Sequence, residues 1–570
     1  MESSCNAEFD LKKYSLDTYL AEGTFGTVTK WKMNNTMQQV SSNPETHVSI
    51  AIKTFKNTNG LQIDCIREIS ILKTLKQHAN IIKILGIASE NDDHPQMIME
   101  LLDSSMKEYL KRNRNSNFRQ IMHCYQMIKE GVTYLHKCGF MHRDLKPENI
   151  LCANCDDVTK CVLKIADFGL AQRYVKGRLN TLNVQTLWYR APEVLLKNAY
   201  YTMKIDLFSA GLCFLQLLNV DAHSFGKHTE AMQLQNWFAL IGTDSITTWK
   251  ETSSSPLKNE IDTWQNHPRY SLDFLFEKRF KNEERKIMED IIESLLYVHP
   301  NKRMFKEVIM EDEDIQEEWF SNFPLTTSQC DHKYSFMNHQ ATPGTYYQKQ
   351  LYQKATHLHL YMRWFVYNWI IDSTSTLNLK MYTYIACMDI MDRFMKIKYE
   401  NVKRDELEII AVSCLYIACG LYESHLLNVG FLAKLSETNA PQLTITIKRI
   451  ALCLDFKLHN SLIVDAFVND FKMNKFQWFC LVSIMFSFEH LYIHTMIPKV
   501  SDIYSKYCQH SISPPIQEMF NMDVFLCEEF KQTNILEALH GKHSKITGLQ
   551  KLWLKVAHLP CPPVQTCLNA

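Results

Sequence analysis

The sequence has no excess of charge of either sign. Lys plus Arg number 62 and Asp plus Glu number 62 in 570 residues, a net charge of +0 with His neutral. A balanced chain offers no basic field to a nucleic acid or an anionic membrane surface, so neither is expected as a partner. A bilayer-length apolar run is also missing. The longest candidate, FQWFCLVSIMFSF at 476–488, is only 13 residues and is broken by Gln477 and two serines. It reads as a buried core helix. The opening MESSCNAEFD has no basic region followed by an apolar stretch, so no secretory signal is expected. The 18 cysteines are scattered, as free thiols in a reducing compartment would be. LCANCDDVTKC brings Cys152, Cys155 and Cys161 close together, but a structural zinc site needs four ligands and no fourth Cys or His is near in sequence. Surface-loop thiols are the expectation there, with zinc the lesser alternative.

What is present suits a large folded chain. Hydrophobic residues make up 46% and charged residues 22%, enough apolar content for several cores. HVSIAIKTF and PQMIMEL read as strands, with a long polar loop at 33–46 before the first. From 119 to about 320 helical spacing dominates. EDEDIQEE at 311–318 reads as a solvated face or a frayed helix end. Residues 322–345, with two prolines, a glycine and many polar residues, read as a linker. Beyond 346 nearly every pattern is helical, as in ELEIIAVSCLYIAC and TITIKRIALCLDF.

Three motifs carry the chemistry of phosphoryl transfer, and their order strengthens each. LAEGTFGTV at 20–28 is followed by IAIK and Lys53. Gly23 and Gly26 let a strand turn close over phosphate oxygens, and Lys53 would neutralise α- and β-phosphate charge. MHRDLKPENIL supplies Asp144 to orient a hydroxyl and take its proton, Lys146 to steady the transferred group and Asn149 to reach a magnesium ion. KIADFGLA supplies Asp167 to bridge magnesium and the phosphates. Each has a blander reading as an ordinary turn, which the spacing of all three disfavours. Glu193 of RAPEVLL is expected to pair with Arg303 of HPNKRM, and Asp206 of KIDLFSAG to anchor the catalytic-loop backbone. IDCIREISIL, 63–72, reads as an amphipathic helix with Ile63, Ile66, Ile69 and Leu72 on one apolar face.

Residues 14 to about 320 therefore resemble a eukaryotic Ser/Thr protein kinase, and TLWYRAPE and REISIL resemble its cyclin-dependent branch. The resemblance implies an α+β bilobal fold over residues 1–321, with an N-lobe at 14–102 and a C-lobe at 103–321. It implies ATP and Mg2+ as cofactors. The nucleotide would be bound by Leu20, Ala21, Glu22, Gly23, Thr24, Phe25, Gly26, Val28, Ala51 and Lys53, with Met99, Glu100, Leu102 and Leu151. Glu68 would pair with Lys53. Thr181 would be a phosphosite clamped by Arg67 and Arg143. The family's third clamping arginine is Gln172 here, with Arg173 next to it. Further departures are Ala21 for the first loop glycine, Phe25 for an inhibitory tyrosine and Gln185 for a valine whose backbone favours proline after the target residue. A Ser/Thr-Pro preference is the expectation.

In the second half Met362, Phe365, Val366 and Trp369 fall at i, i+3, i+4 and i+7, Arg363 lies off that face, and Asp392 of IMDRFM is its expected carboxylate partner. This pattern resembles a cyclin box. The resemblance implies all-α tandem cyclin folds, residues 346–459 and a divergent 460–570, with Ile66 as the kinase's cyclin contact. Met362, Phe365, Val366, Trp369 and Leu407, rimmed by Asp372 and Glu408, would form a substrate-docking groove, with core packing an equal alternative for the aromatics. A lysine and a glutamate that cyclins use against the kinase are Gly420 and Ile447 here.

The leading reading is a multidomain, single-chain cyclin-dependent kinase, intracellular in nucleus, cytoplasm or both, docked in cis through its linker. Its expected partners are protein substrates with Ser/Thr-Pro sites, an upstream activating kinase and inhibitor proteins of such kinases. Two alternatives stay open. One is a weak kinase serving as adaptor or decoy. The other is an active kinase whose helical half is a scaffold.

Overall fold

The computed structural model describes residues 11–308 and 379–459 apart from short internal stretches, the longest at 35–47 and 220–228, with few residues between 244 and 280. Val366, Ile370, Ser373 and Leu377 are described singly. The expectations for 311–365, for most of 366–378 and for 460–570 lie outside the described residues. The chain divides into two compact units, 1–340 with 419–459, and 341–418 with 460–570.

The first unit begins with a five-stranded antiparallel sheet, β1 (Tyr14–Glu22), β2 (Gly26–Met33), β3 (Ser49–Phe55), β4 (Ile84–Ala88) and β5 (Gln96–Glu100), in the order β1-β2-β3-β5-β4. One side of the sheet is sealed by a cluster that includes Leu11, Tyr14, Met33, Ile50, Ile52 and Ile98. Gly26 begins β2 opposite Phe55, and a Cβ there would strike the carbonyl oxygen of Thr54. Glycine is what lets the loop come so near β3.

Helix α1 (Ile63–Thr74) departs from the expected amphipathic pattern. Cys65, Arg67, Glu68, Ser70 and Ile71 are buried along with Ile63, Ile66, Ile69 and Leu72. A helix buried nearly all round has neighbours on more than one side, and its apolar stripe alone does not reveal them.

The helical part contains α2 (Met106–Arg112), entered through the capping box of Ser105 and Glu108, and the long α3 (Phe118–Lys137), capped by Asn117 and Gln120. Short strands also occur: β6 (Ser104–Ser105) before the stretch where the sequence pattern suggested helices and, interrupting that stretch, β7 (Phe140–Met141), β8 (Ile150–Ala153), β9 (Val162–Ile165) and β10 (Gln172–Arg173). Two to four residues are too few to show a period of two. They form a β6-β8-β9 sheet and a β7-β10 pair that hold the loops between them in register. Then come α4 (Pro192–Leu195), α5 (Lys204–Leu217), α6 (Glu230–Ile241), α7 (Lys258–Thr263) and α8 (Asn282–Leu295). Arg303 donates to both carboxylate oxygens of Glu193 at 2.7 Å, both residues fully buried.

Cys152, Cys155 and Cys161 are buried, not surface thiols: Cys152 lies on β8, Cys155 and Cys161 flank β8 and β9, and Cys124 of α3 lies close enough to act electrostatically on Cys152. Among the described residues no group of side chains is arranged to hold a metal ion, and no described cysteine is in a disulfide.

The later helices are α9 (Met381–Lys398), α10 (Leu407–Tyr422), α11 (Val429–Leu435) and α12 (Ala440–Cys453). In the second unit α9 buries Cys387, Ile390 and Phe394, and α10 buries Ile410, Cys414 and Ile417. Among the described residues no helix is long and apolar enough to cross a membrane.

Candidate active site

Lys53 lies on β3, whose partner strands fix its height, and Glu68 lies one helical turn and a half into α1. The Lys53 ammonium reaches both oxygens of Glu68 at 2.8 Å and Asp167 Oδ1 at 2.9 Å. Burial opposes the charge on Lys53, but the two carboxylates outweigh it and hold its pKa above the ordinary lysine value. Burial likewise works against Asp167, and Lys53 overcomes it, leaving the carboxyl below its ordinary range and ionised. Asp167 sits at a left-handed φ of 60°.

The loop between β7 and β8 is held from below. Asp206, fully buried at the start of α5, accepts from the backbone N–H groups of His142 at 2.8 Å and Arg143 at 2.9 Å, and contacts His136 at 2.8 Å. Burial would raise its pKa, but these partners lower it. Asp144 is thereby presented to four donors on three residues. Oδ2 accepts from Lys146 Nζ at 2.8 Å and Asn149 Nδ2 at 3.0 Å, and Oδ1 accepts from the N–H of Thr186 at 3.0 Å and its hydroxyl at 2.9 Å. Lys146 Nζ also reaches Thr186 Oγ1 at 3.0 Å. Thr186 was not picked out from the sequence, although its place directly before LWYRAPE was a signal.

Asn149 commits its amide nitrogen to Asp144, which leaves its amide oxygen as an acceptor. That oxygen and the ionised Asp167 carboxylate are hard donors of the type magnesium takes, so the residues fit such an ion. Of the residues expected to bind the nucleotide, Ala51 is buried, Met99 pairs with it across β3 and β5, and Leu20 is 46% exposed near the end of β1. Val28 pairs with Lys53, and Ala21 is ordinary extended strand opposite Val28, with none of the left-handed backbone that would require glycine. Gly23 donates to the Gly26 carbonyl at 2.9 Å and closes the loop. Glu22 pairs with Lys56, while Glu100 turns its carboxylate to the backbone of Lys83 and to Lys164. Leu102 and Leu151 are half-buried. Thr24 and Phe25 lie outside the described residues.

Thr181 accepts from Arg143 Nη1 at 3.0 Å through its hydroxyl and from Tyr201 through its carbonyl at 2.7 Å. Arg67 does not donate to it. Its Nη1 goes to Asp64 at 3.0 Å and its Nη2 to the Gly420 carbonyl at 2.7 Å. Burial lowers the Arg67 pKa to about 10, helped by the charges of Arg143 and Arg178. Arg173, the neighbour of Gln172, stacks on Phe140 with 5.3 Å to the ring centre. Arg178, three residues before Thr181 and buried, joins Arg67 and Arg143 instead, which no sequence motif signals.

Gln185 has a left-handed φ of 62°. Its side chain is tied to Ile205, Ser209 and the Ala191 N–H, and its carbonyl oxygen accepts from Arg190 Nη2 at 2.9 Å and Nε at 3.3 Å.

Residues 419–459 belong to the same compact unit. Besides the Arg67–Gly420 bond, Lys73 pairs with Asp455 at 2.7 Å and the His459 ring meets Phe140 edge-on at 5.1 Å. Ile66 is fully buried, and so is Ile447, inside α12. Of the expected groove, Val366 and Leu407 are buried and Glu408 is exposed, while Met362, Phe365, Trp369 and Asp372 lie outside the described residues, as does Arg363.

The protein kinase domain family matches residues 14–315, more than half of the chain, and the cyclin N-terminal domain family matches residues 332–458. The chain is 30% identical over 336 residues to cyclin-dependent kinase 12 of Caenorhabditis elegans, covering 56% of this chain and 42% of that protein. It thus spans less than half the length of that relative.

Proposed function

The chain belongs to the protein kinase family and carries a cyclin domain as well, and from that premise we propose that it transfers the γ-phosphoryl group of Mg-ATP to Ser or Thr followed by Pro, activated in cis by its own cyclin segment. The observation that carries the catalytic reading is Asp144 held by Lys146, Asn149 and Thr186 while Lys53 bridges Glu68 and Asp167. Asp144 would orient the substrate hydroxyl and accept its proton, and Lys146 would balance charge at the transferred group. Asn149 and Asp167 would hold the magnesium ion, which supplies charge neutralisation at the phosphates when bound. Lys53, fixed by Glu68, would hold the α- and β-phosphates.

Proline selectivity is supported by Gln185. Left-handed geometry turns its carbonyl away, and Arg190 occupies it. A substrate N–H at the position after the target residue would then be buried without an acceptor, and proline has no N–H to lose.

Activation in cis is supported by the bonds of Arg67 and Lys73 to residues 420 and 455. A linker of about 24 residues reaches roughly 80 Å, and such a tether gives an effective concentration on the order of millimolar. We place the protein inside the cell, with protein substrates and an activating kinase for Thr181 as partners. In the test, the purified full chain, without added cyclin, phosphorylates a Ser-Pro peptide, Asp144→Asn abolishes this, and Ile66→Asp strongly reduces it. Activity unaltered by Ile66→Asp would remove the cyclin from the mechanism.

A further inference from the structure

Gly420 lies in the last turn of α10, where glycine is otherwise unfavourable. A Cβ built on it would fall deep inside van der Waals contact with Cδ1 and Cγ1 of Ile63 and would be 3.4 Å from the Ile63 Cβ. Ile63 opens α1 and is buried, so its side chain fills the space that any residue other than glycine would occupy. The β-branched chain has one strongly preferred rotamer in a helix and little freedom to step aside. Next to it, Arg67 donates to the Gly420 carbonyl at 2.7 Å, which requires the two backbones to stay close.

We propose that Ile63 and Gly420 form a size-selective lock that fits α1 to this chain's own segment 419–459 and rejects a cyclin helix bearing a side chain at that point. The lock rests on the docking reading above and adds specificity to it. The resemblance places a lysine at this position in cyclins, and that lysine's own Cβ collides with Ile63. The kinase half is therefore insulated from separate cyclins, and the loss of the lysine is matched by Ile63 rather than left as a defect.

The test uses the full chain and hydrogen exchange of the α1 amides, Cys65–Thr74. Helix propensity alone predicts that Gly420→Ala leaves protection unchanged or raised. The lock predicts a loss of about tenfold to a hundredfold, the usual range for overpacking a filled site. Ile63→Ala/Gly420→Ala recovers the protection of Ile63→Ala alone, which a merely misfolded Gly420→Ala could not do. Protection that does not fall in Gly420→Ala overturns the lock, as does a double variant no better than Gly420→Ala. Ile66→Asp, read by peptide phosphorylation, separates the two levels. Unchanged phosphorylation removes docking and the lock together, whereas its loss alongside full protection in Gly420→Ala removes the lock alone.

Discussion

Arg190→Ala is expected to erase the preference for proline while sparing catalysis. A non-glycine residue in the left-handed region costs about 1–2 kcal/mol, and Gln185 holds that geometry at φ 62°. Opposing the cost are the bonds from Arg190 to its carbonyl, at 2.9 and 3.3 Å, each worth about 1.5–3 kcal/mol for a charged donor. Without Arg190 the strain is no longer offset, and the carbonyl is released to accept a substrate N–H. In the native protein an unmatched N–H at that position costs about 1–3 kcal/mol, so Ser-Pro peptides should exceed Ser-Ala peptides by about fivefold to 150-fold in kcat/KM. In Arg190→Ala the ratio should fall below about threefold. The assay compares two peptides differing only in that residue. A ratio that stays high in an active Arg190→Ala protein refutes the argument.

Arg303→Ala strands the fully buried Glu193 carboxylate and should cost about 3–5 kcal/mol, read as a lowered melting temperature. Glu193→Gln should also destabilise. Asp206 has a lowered pKa in the folded chain, so its contribution is present above the unfolded carboxylate pKa of about 3.9 and is lost as pH falls through the folded value. Asp206→Asn should therefore be less stable at neutral pH and show a shallower loss of melting temperature on acidification. Phosphate on Thr181 would face Arg67, Arg143 and Arg178, with Asp64 the carboxylate already paired to Arg67. Treatment with an activating kinase should raise the activity of the native chain, leave Thr181→Ala unchanged, and act much less on Arg178→Ala.

The chemistry was largely legible in the sequence because it resides in short contiguous motifs. Asp144, Lys146 and Asn149 lie within six residues, and a loop that brief leaves few arrangements. The Glu193–Arg303 pair was also legible, since each residue lies in a short motif of its own, RAPEVLL and HPNKRM. Other features depend on packing between distant segments. Arg178 joins the arginine cluster through the path of the loop before Thr181, and nothing local distinguishes it from the neighbouring Arg173, which stacks on Phe140 instead. Cys152 on β8, with Cys155 and Cys161 beside β8 and β9, reads as a loop thiol because four-residue strands carry no readable period. Gly420 looked like a lost contact until Ile63 was seen filling its place. The α1 pattern suggested one buried face, whereas partners on several sides bury nearly all of it.

The most direct measurement is phosphate transfer from Mg-ATP to a Ser-Pro peptide by the purified full chain, with no cyclin added, set beside Ile66→Asp and Asp144→Asn. Self-contained activation predicts clear transfer by the native chain, near-silence in Ile66→Asp and none in Asp144→Asn. Equal transfer by the native chain and Ile66→Asp, or transfer that appears only when a separate cyclin is supplied, would contradict it.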